Sequence, residues 1–266
     1  MATRLVIVGG GRMGEALVAG LLGAGWAPPT DIVVAEAVES RRRHLSERFA
    51  GLHVRSEPVA AEGTVVAVKP GDVDTACAAV AAVGAGRVLS IAAGVPLARL
   101  EASLCLGVPV VRAMPNTPAL VGRGAAAIAA GAAAGPGDLD WAEGILSAVG
   151  TVVRVAEPLL DAVTGLSGSG PAYVFLVAEA LTEAGVHAGL PRDTSAALVV
   201  QTLVGAAHLL AESGEGPEAL RAAVTSPGGT TAAGVRALEA RAVRGAFLEA
   251  VDAATERSRQ LGRAPS

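Results

Sequence analysis

Two short segments carry residue types at spacings that can do chemistry. The first is Ser226-Pro227-Gly228-Gly229-Thr230-Thr231, followed by a helix-compatible run. A helix start leaves backbone N–H groups unpaired and carries a partial positive charge, so such a turn is a ready anion site. The hydroxyls of Ser226, Thr230 and Thr231 can add directional hydrogen bonds, which makes a carboxylate clamp. Its alternative reading is an ordinary capped helix start. The second segment, Gly9-Gly10-Gly11-Arg12-Met13-Gly14, fits G-x-G-x-x-G, the turn that lets a backbone approach a pyrophosphate. Glu36 follows 22 residues after Gly14, where a carboxylate accepts the hydroxyls of an adenine ribose and repels a 2′-phosphate. Arg41, Arg42 and Arg43 come shortly after. Two readings of them stand side by side, as phosphate ligands and as a solvated helix face.

These residues need a scaffold, and the surrounding pattern supplies one. Arg4–Val8 and Asp31–Ala35 are short apolar runs of the kind that form strands buried on both faces, with a helical stretch from Glu15 to about Ala24 between them. Strand-like runs continue at Val65–Val68, Val88–Ala92, Val108–Arg112, Ala125–Ala129 and Thr151–Val155, with helical stretches at Val73–Val83 and Leu97–Glu101. Alternation of this kind predicts a doubly wound parallel sheet with helices on both faces. Lys69 is the only lysine, against 20 arginines, and stands at a strand end in Ala67-Val68-Lys69-Pro70. In such sheets, strand ends face the ligand crevice. Loops at Ser90–Val95 and Arg112–Pro118 are placed to reach a nicotinamide.

Beyond Glu157-Pro158 strand signals stop and helical segments take over, predicted at about 171–188, 192–212, 217–224, 231–240 and 245–260. The expected domains are 1–158, binding dinucleotide, and 159–266, helical. Thr194 to Ala211 holds no Asp, Glu, Lys or Arg, a length that approaches a membrane span. Its five alanines, its Thr, Ser, Gln and His, and the lack of a flanking cationic cluster argue for a buried helix instead. A small helical domain can hardly enclose it alone, so a second copy of the chain is the expected cover.

Bulk properties exclude other classes. The formal charge is −4, which leaves no basic footprint for nucleic acid. Cys77 and Cys105 match no metal or redox spacing, so no metal site is expected and the chain reads as cytoplasmic, with strand one leaving no room for a leader peptide. His44, His53, His187 and His208 lie outside the motifs and read as structural or surface groups.

Taken in order, the motifs resemble those of the pyrroline-5-carboxylate reductase family over essentially the whole chain. The resemblance rests on Gly9–Gly14, Ala67–Pro70, Ser90–Val95, Arg112–Pro118, Asp161–Tyr173 and Ser226–Thr231. It implies an N-terminal Rossmann domain, an all-helical C-terminal dimerisation domain, homodimers that assemble into rings, and NADPH as cofactor with NADH as the alternative. Cofactor-lining positions carried over are Gly9, Gly11, Arg12, Met13, Gly14, Glu36, Ala67, Val68, Lys69, Pro70, Ala92, Ala93, Gly94 and Asn116. Ser226, Gly228, Gly229 and Thr230 are expected to hold the substrate carboxylate, and Thr231 to face the imine nitrogen as the catalytic group. Glu36 departs from the small or polar residue common in NADPH-preferring members. The glycines of Gly165–Tyr173 either turn the chain into the next helix or touch substrate. A rival β-hydroxyacid dehydrogenase reading needs a lysine in the second domain, and no lysine follows residue 69.

Overall fold

The apolar runs pair into one eight-stranded sheet, in a computed structural model that describes residues 3–263. The first part of the chain runs β1 (Leu5–Val8), α1 (Arg12–Gly23), β2 (Ile32–Ala35), α2 (Glu39–Arg48), β3 (His53–Arg55), β4 (Gly63–Val66) and α3 (Val73–Val83). It continues β5 (Val88–Ser90), α4 (Leu97–Ala102), β6 (Val110–Met114), β7 (Gly124–Ala130), α5 (Pro136–Leu146), β8 (Gly150–Arg154) and the short α6 (Leu160–Val163). The expected domain ends at residues 1–2 and 264–266 lie outside the described residues.

Strand order is β3-β2-β1-β4-β5-β6-β7-β8. Every residue of β1, β2 and β4 is buried, because successive side chains feed two different cores. Leu5 and Ile7 pack on one face with Leu17, Leu21 and Ile145, while Val6 and Val8 pack on the other with Val73, Val80 and Leu100. Leu5 aligns with Ile32 on one side and with Gly63 on the other, so strand order reverses between β1 and β4. In a doubly wound sheet, the crevice above the carboxyl ends of those two strands is the ligand site.

One departure from an all-parallel sheet occurs. β7 runs antiparallel to β6. The link between them is a single 3-10 turn at Thr117–Val121, and a parallel crossover needs roughly a dozen residues or more. β3 was not legible beforehand: three residues, two of them exposed, show no apolar periodicity.

The second compact unit is residues 170–251, and the first comprises the residues up to Ser169 together with those from Asp252 onward. The second holds α7 (Gly170–His187), α8 (Arg192–Glu212), α9 (Pro217–Ala223), α10 (Thr230–Ala240) and the first turns of α11 (Val243–Arg263). The helical character does begin after Pro158, but α6 and a wide π-turn at Thr164–Gly168 pack with the sheet. Within the helical unit, Gly185 lets α7 and α8 approach closely, and the buried Ser195 hydroxyl donates to the Thr182 carbonyl at 2.9 Å. Most other faces are bare. Phe175, Leu176, Leu198 and Val200 are each more than half exposed. Among the described residues, α8 alone is long and apolar enough to cross a membrane, and only 6% of its apolar window is buried within this chain.

Candidate active site

The glycine turn sits where the strand order reverses. Gly9 adopts φ +105°, and a Cβ there would lie 2.5 Å from the Ala67 carbonyl oxygen, so the β1 and β4 loops touch backbone to backbone. A Cβ on Gly14 would collide with the Gly9 carbonyl. Gly11 caps α1 without any side-chain hydrogen bond and is exposed, as is Arg12, so the first amides of α1 face outward uncovered. Met13 packs partly into the core beneath.

The middle peptide of the turn is gripped on both sides. The Gly10 N–H donates to Glu36 Oε2 at 2.8 Å, and Glu36 Oε1 accepts the Val38 N–H at 2.8 Å. The Gly10 carbonyl accepts from Arg41 Nε at 3.0 Å and Nη2 at 2.6 Å. Arg41 also donates to Glu15 Oε2 at 2.6 Å. Glu15 is almost buried on α1 and receives two further groups from α2, His44 at 3.0 Å and Arg48. Burial pushes its carboxyl up, but the hydrogen bonds from Arg41, His44 and Arg48 together outweigh that and hold it down at about 2. Sequence reasoning missed this anchor. A lone acid inside Gly14-Glu15-Ala16-Leu17-Val18, a segment otherwise bound for the core, was the signal available.

Other expected cofactor residues are carried to the same edge of the sheet. Ala67 and Val68 are partly buried, while Lys69 and Pro70 are exposed at a 3-10 turn just beyond β4. After β5, Ala92 is buried, Ala93 is exposed and Gly94 takes φ +73°. A cavity of about 400 Å³ opens beside Gly94, with Arg112, Glu157, Asp161 and Arg259 on its walls. Asn116 works on the protein itself: its Oδ1 accepts the Ala125 N–H at 2.8 Å and its Nδ2 donates to the Ser167 carbonyl at 3.0 Å. That ties the start of β7 to the π-turn, where Gly168 leaves room for Met114.

In the helical unit, the turn Ser226–Gly229 leads into α10. Gly228 takes φ +71°, and the Gly229 N–H closes the turn on the Ser226 carbonyl at 3.0 Å. A Cβ on Gly229 would lie 2.5 Å from the Ser226 hydroxyl. Gly229 is the N-cap and offers no side-chain hydrogen bond, so the amides of Thr230 and Thr231 lack a protein cap. Ser226, Gly228, Thr230 and Thr231 are exposed. The N-termini of α1 and α10 thus share one design, a glycine turn with bare amides suited to an anion.

No cluster of metal-ligating side chains occurs among the described residues. Burial pushes the Cys77 thiol up to about 11, which leaves it protonated and inert.

Residues 157–261 match the family model described as pyrroline-5-carboxylate reductase dimerisation, and residues 4–94 the one described as NADP oxidoreductase, coenzyme F420-dependent. A pyrroline-5-carboxylate reductase of Synechocystis is 46% identical over 99% of this chain and 100% of its own. The structure of a pyrroline-5-carboxylate reductase from Coxiella burnetii is similar at a TM-score of 0.93 and 34% identity, covering 99% of this chain and 100% of that one. A Plasmodium falciparum pyrroline carboxylate reductase with NADP bound matches at 0.83 and 29% identity, over 98% of both chains.

Proposed function

This chain belongs to the pyrroline-5-carboxylate reductase family, and from that premise we propose how its residues divide the work. The enzyme reduces the cyclic imine 1-pyrroline-5-carboxylate to L-proline with NADP(H) as cofactor. The observation that carries the division of labour is the pair of uncapped glycine turns, one in each unit.

Bound NAD(P)H supplies the hydride. Gly9, Gly11 and Gly14 shape the turn whose amides, with those of Arg12 and Met13, hold the pyrophosphate, and Glu36 faces the ribose. Ala67–Pro70 and Ala92–Gly94 line the crevice along the sheet edge, and Asn116 fixes the loop after β6. In the helical unit, the Ser226 hydroxyl and the amides of Gly228 and Thr230 hold the substrate carboxylate, with Gly229 completing the turn. Thr231 donates its hydroxyl hydrogen to the imine nitrogen, which makes the carbon more electrophilic and supports the amine that forms. No histidine is required: His44 serves Glu15 and His208 pairs with Glu212.

The helical half is a dimerisation domain, so the enzyme is a homodimer. The bare apolar side chains of α7 and α8 support that assembly. Dimers grouping into a ring and a cytoplasmic location complete the reading.

Purified protein should oxidise NADPH only when pyrroline-5-carboxylate is present. Thr231→Ala should lower kcat by roughly tenfold or more through loss of one hydrogen bond to the developing amine. Unchanged kinetics in that variant would remove Thr231 from the mechanism.

A further inference from the structure

We propose that Arg41 is a positioning residue that acts through the glycine turn rather than on a phosphate: by forking the Gly10 carbonyl it aims the Gly11 N–H at the pyrophosphate. The proposal rests on the nucleotide reading of that turn. Three glycines stand in a row there, Gly9, Gly10 and Gly11. The middle one has no room for a side chain, since a Cβ on Gly10 would lie 2.6 Å from Leu45 Cδ1 and 3.2 Å from Glu36 Cβ. The peptide between Gly10 and Gly11 therefore has no Cβ on either side, and sterics alone leave it free to flip. In a planar trans peptide the C=O and the N–H point to opposite sides. Arg41 holds the Gly10 carbonyl toward α2 with Nε at 3.0 Å and Nη2 at 2.6 Å. The Gly11 N–H is thereby turned the other way. It meets no acceptor among the described residues, and the space beside Gly11 is open. The flipped peptide would present a carbonyl dipole to the phosphates instead, which is repulsive.

Arg41 is itself held in place. Glu15 Oε2 accepts its Nη2 at 2.6 Å, so the guanidinium is fixed from α1 as well as from its own helix α2. The other Glu15 oxygen is taken by His44 and Arg48. Within this cluster Arg41 alone reaches the turn. Arg48 serves Glu15 and lies over the Phe49 ring, 5.3 Å from its centroid. The two arginines thus share one carboxylate but differ in whether they touch Gly10, which separates positioning from mere stabilisation.

The test measures dissociation constants for NADH and NADPH by nucleotide fluorescence, without substrate, on wild type, Arg41→Ala, Arg41→Lys and Arg48→Ala, with a thermal melt of each. The two nucleotides share the pyrophosphate and differ only in the 2′-phosphate. In Arg41→Ala both constants should rise by a similar factor of roughly ten, as when the competent fraction of the turn falls to about a tenth. At saturating NADPH the same variant should show a raised KM for NADPH with kcat within about threefold of wild type. Arg41→Lys keeps the charge beside Glu15 but cannot fork the carbonyl, so both constants should rise less, by about threefold. Arg48→Ala should lower the Tm and leave both constants within about threefold. Unmoved constants in Arg41→Ala would overturn the proposal, and so would a loss confined to NADPH, which marks a direct 2′-phosphate ligand. A loss in Arg48→Ala as large as in Arg41→Ala would reduce the effect to general destabilisation and overturn it too. Should Arg41→Ala fail to fold, the comparison of NADH with NADPH is read on Arg41→Lys by the same criterion. Wild type that bound neither nucleotide would overturn the nucleotide reading beneath the proposal.

Discussion

Replacing Glu15 by Gln removes the charge that Arg41, His44 and Arg48 converge on, at a site where its side chain is only 11% exposed. The carboxyl is held at about 2 against an ordinary 4.5, and at ~1.36 kcal/mol per pH unit that is about 3 kcal/mol of folded-state preference for the charged form. Arg48 and His44 are 55% and 49% exposed, so solvent screening brings the expected contribution to about 2 kcal/mol. The sign follows from the direction of the shift. A lowered folded-state value contributes fully above about 4.5 and is lost as pH falls toward about 2. Thermal melts of wild type and Glu15→Gln, at one protein concentration and without nucleotide, should therefore differ most near neutrality. A Tm lowered by about 4–8 °C at pH 7 corresponds to that energy for a chain of this size. The gap should narrow steadily below about pH 4.5 as wild type takes up the proton. A gap that stayed flat or widened on acidification would refute the assignment of stability to the Glu15 charge.

Gly14→Ala places a methyl against the Gly9 carbonyl, so the turn must shift, and NADPH affinity should fall by roughly tenfold or more in a direct titration. Val204→Asp puts a charge on the bare face of α8, where Val204 is 47% exposed in the isolated chain. Sedimentation should show the variant as monomer at concentrations where wild type is a dimer. An intact dimer would mean that this part of the α8 face lies outside the interface.

The strands and the glycine turn were legible because each depends on local signals. Val6, Val8, Val33 and Val66 declare a doubly buried strand by apolar continuity, and Gly9, Gly11 and Gly14 declare a turn by spacing. The reversal of β7 was not legible, since direction depends on how short the Pro115–Arg123 link proves to be in space. Nor was the grip on Gly10. Glu36 read as a ribose ligand, Arg41 as either a phosphate ligand or part of a solvated face, and Glu15 had no assigned role; only pairing across α1, β2 and α2 turns them into one network. Asn116 shows the complementary case, a polar residue in a motif loop whose side chain is taken up by Ala125 and Ser167.

The last helix has a consequence for how the protein is made. From Asp252 onward α11 belongs to the sheet unit, where Thr255 and Ser258 are buried and the Ser258 hydroxyl donates to Asp161 at 2.7 Å. The sheet unit is thus built from two separate stretches of the chain, with the helical unit inserted between. During synthesis N-terminal domains generally fold first, yet here every strand leaves the ribosome before the segment that finishes their unit. The segment that completes the sheet unit is synthesised after the helices α7 to α10. A premature stop that removed the end of α11 would strike the nucleotide-binding unit, although the missing codons lie farthest from the glycine turn.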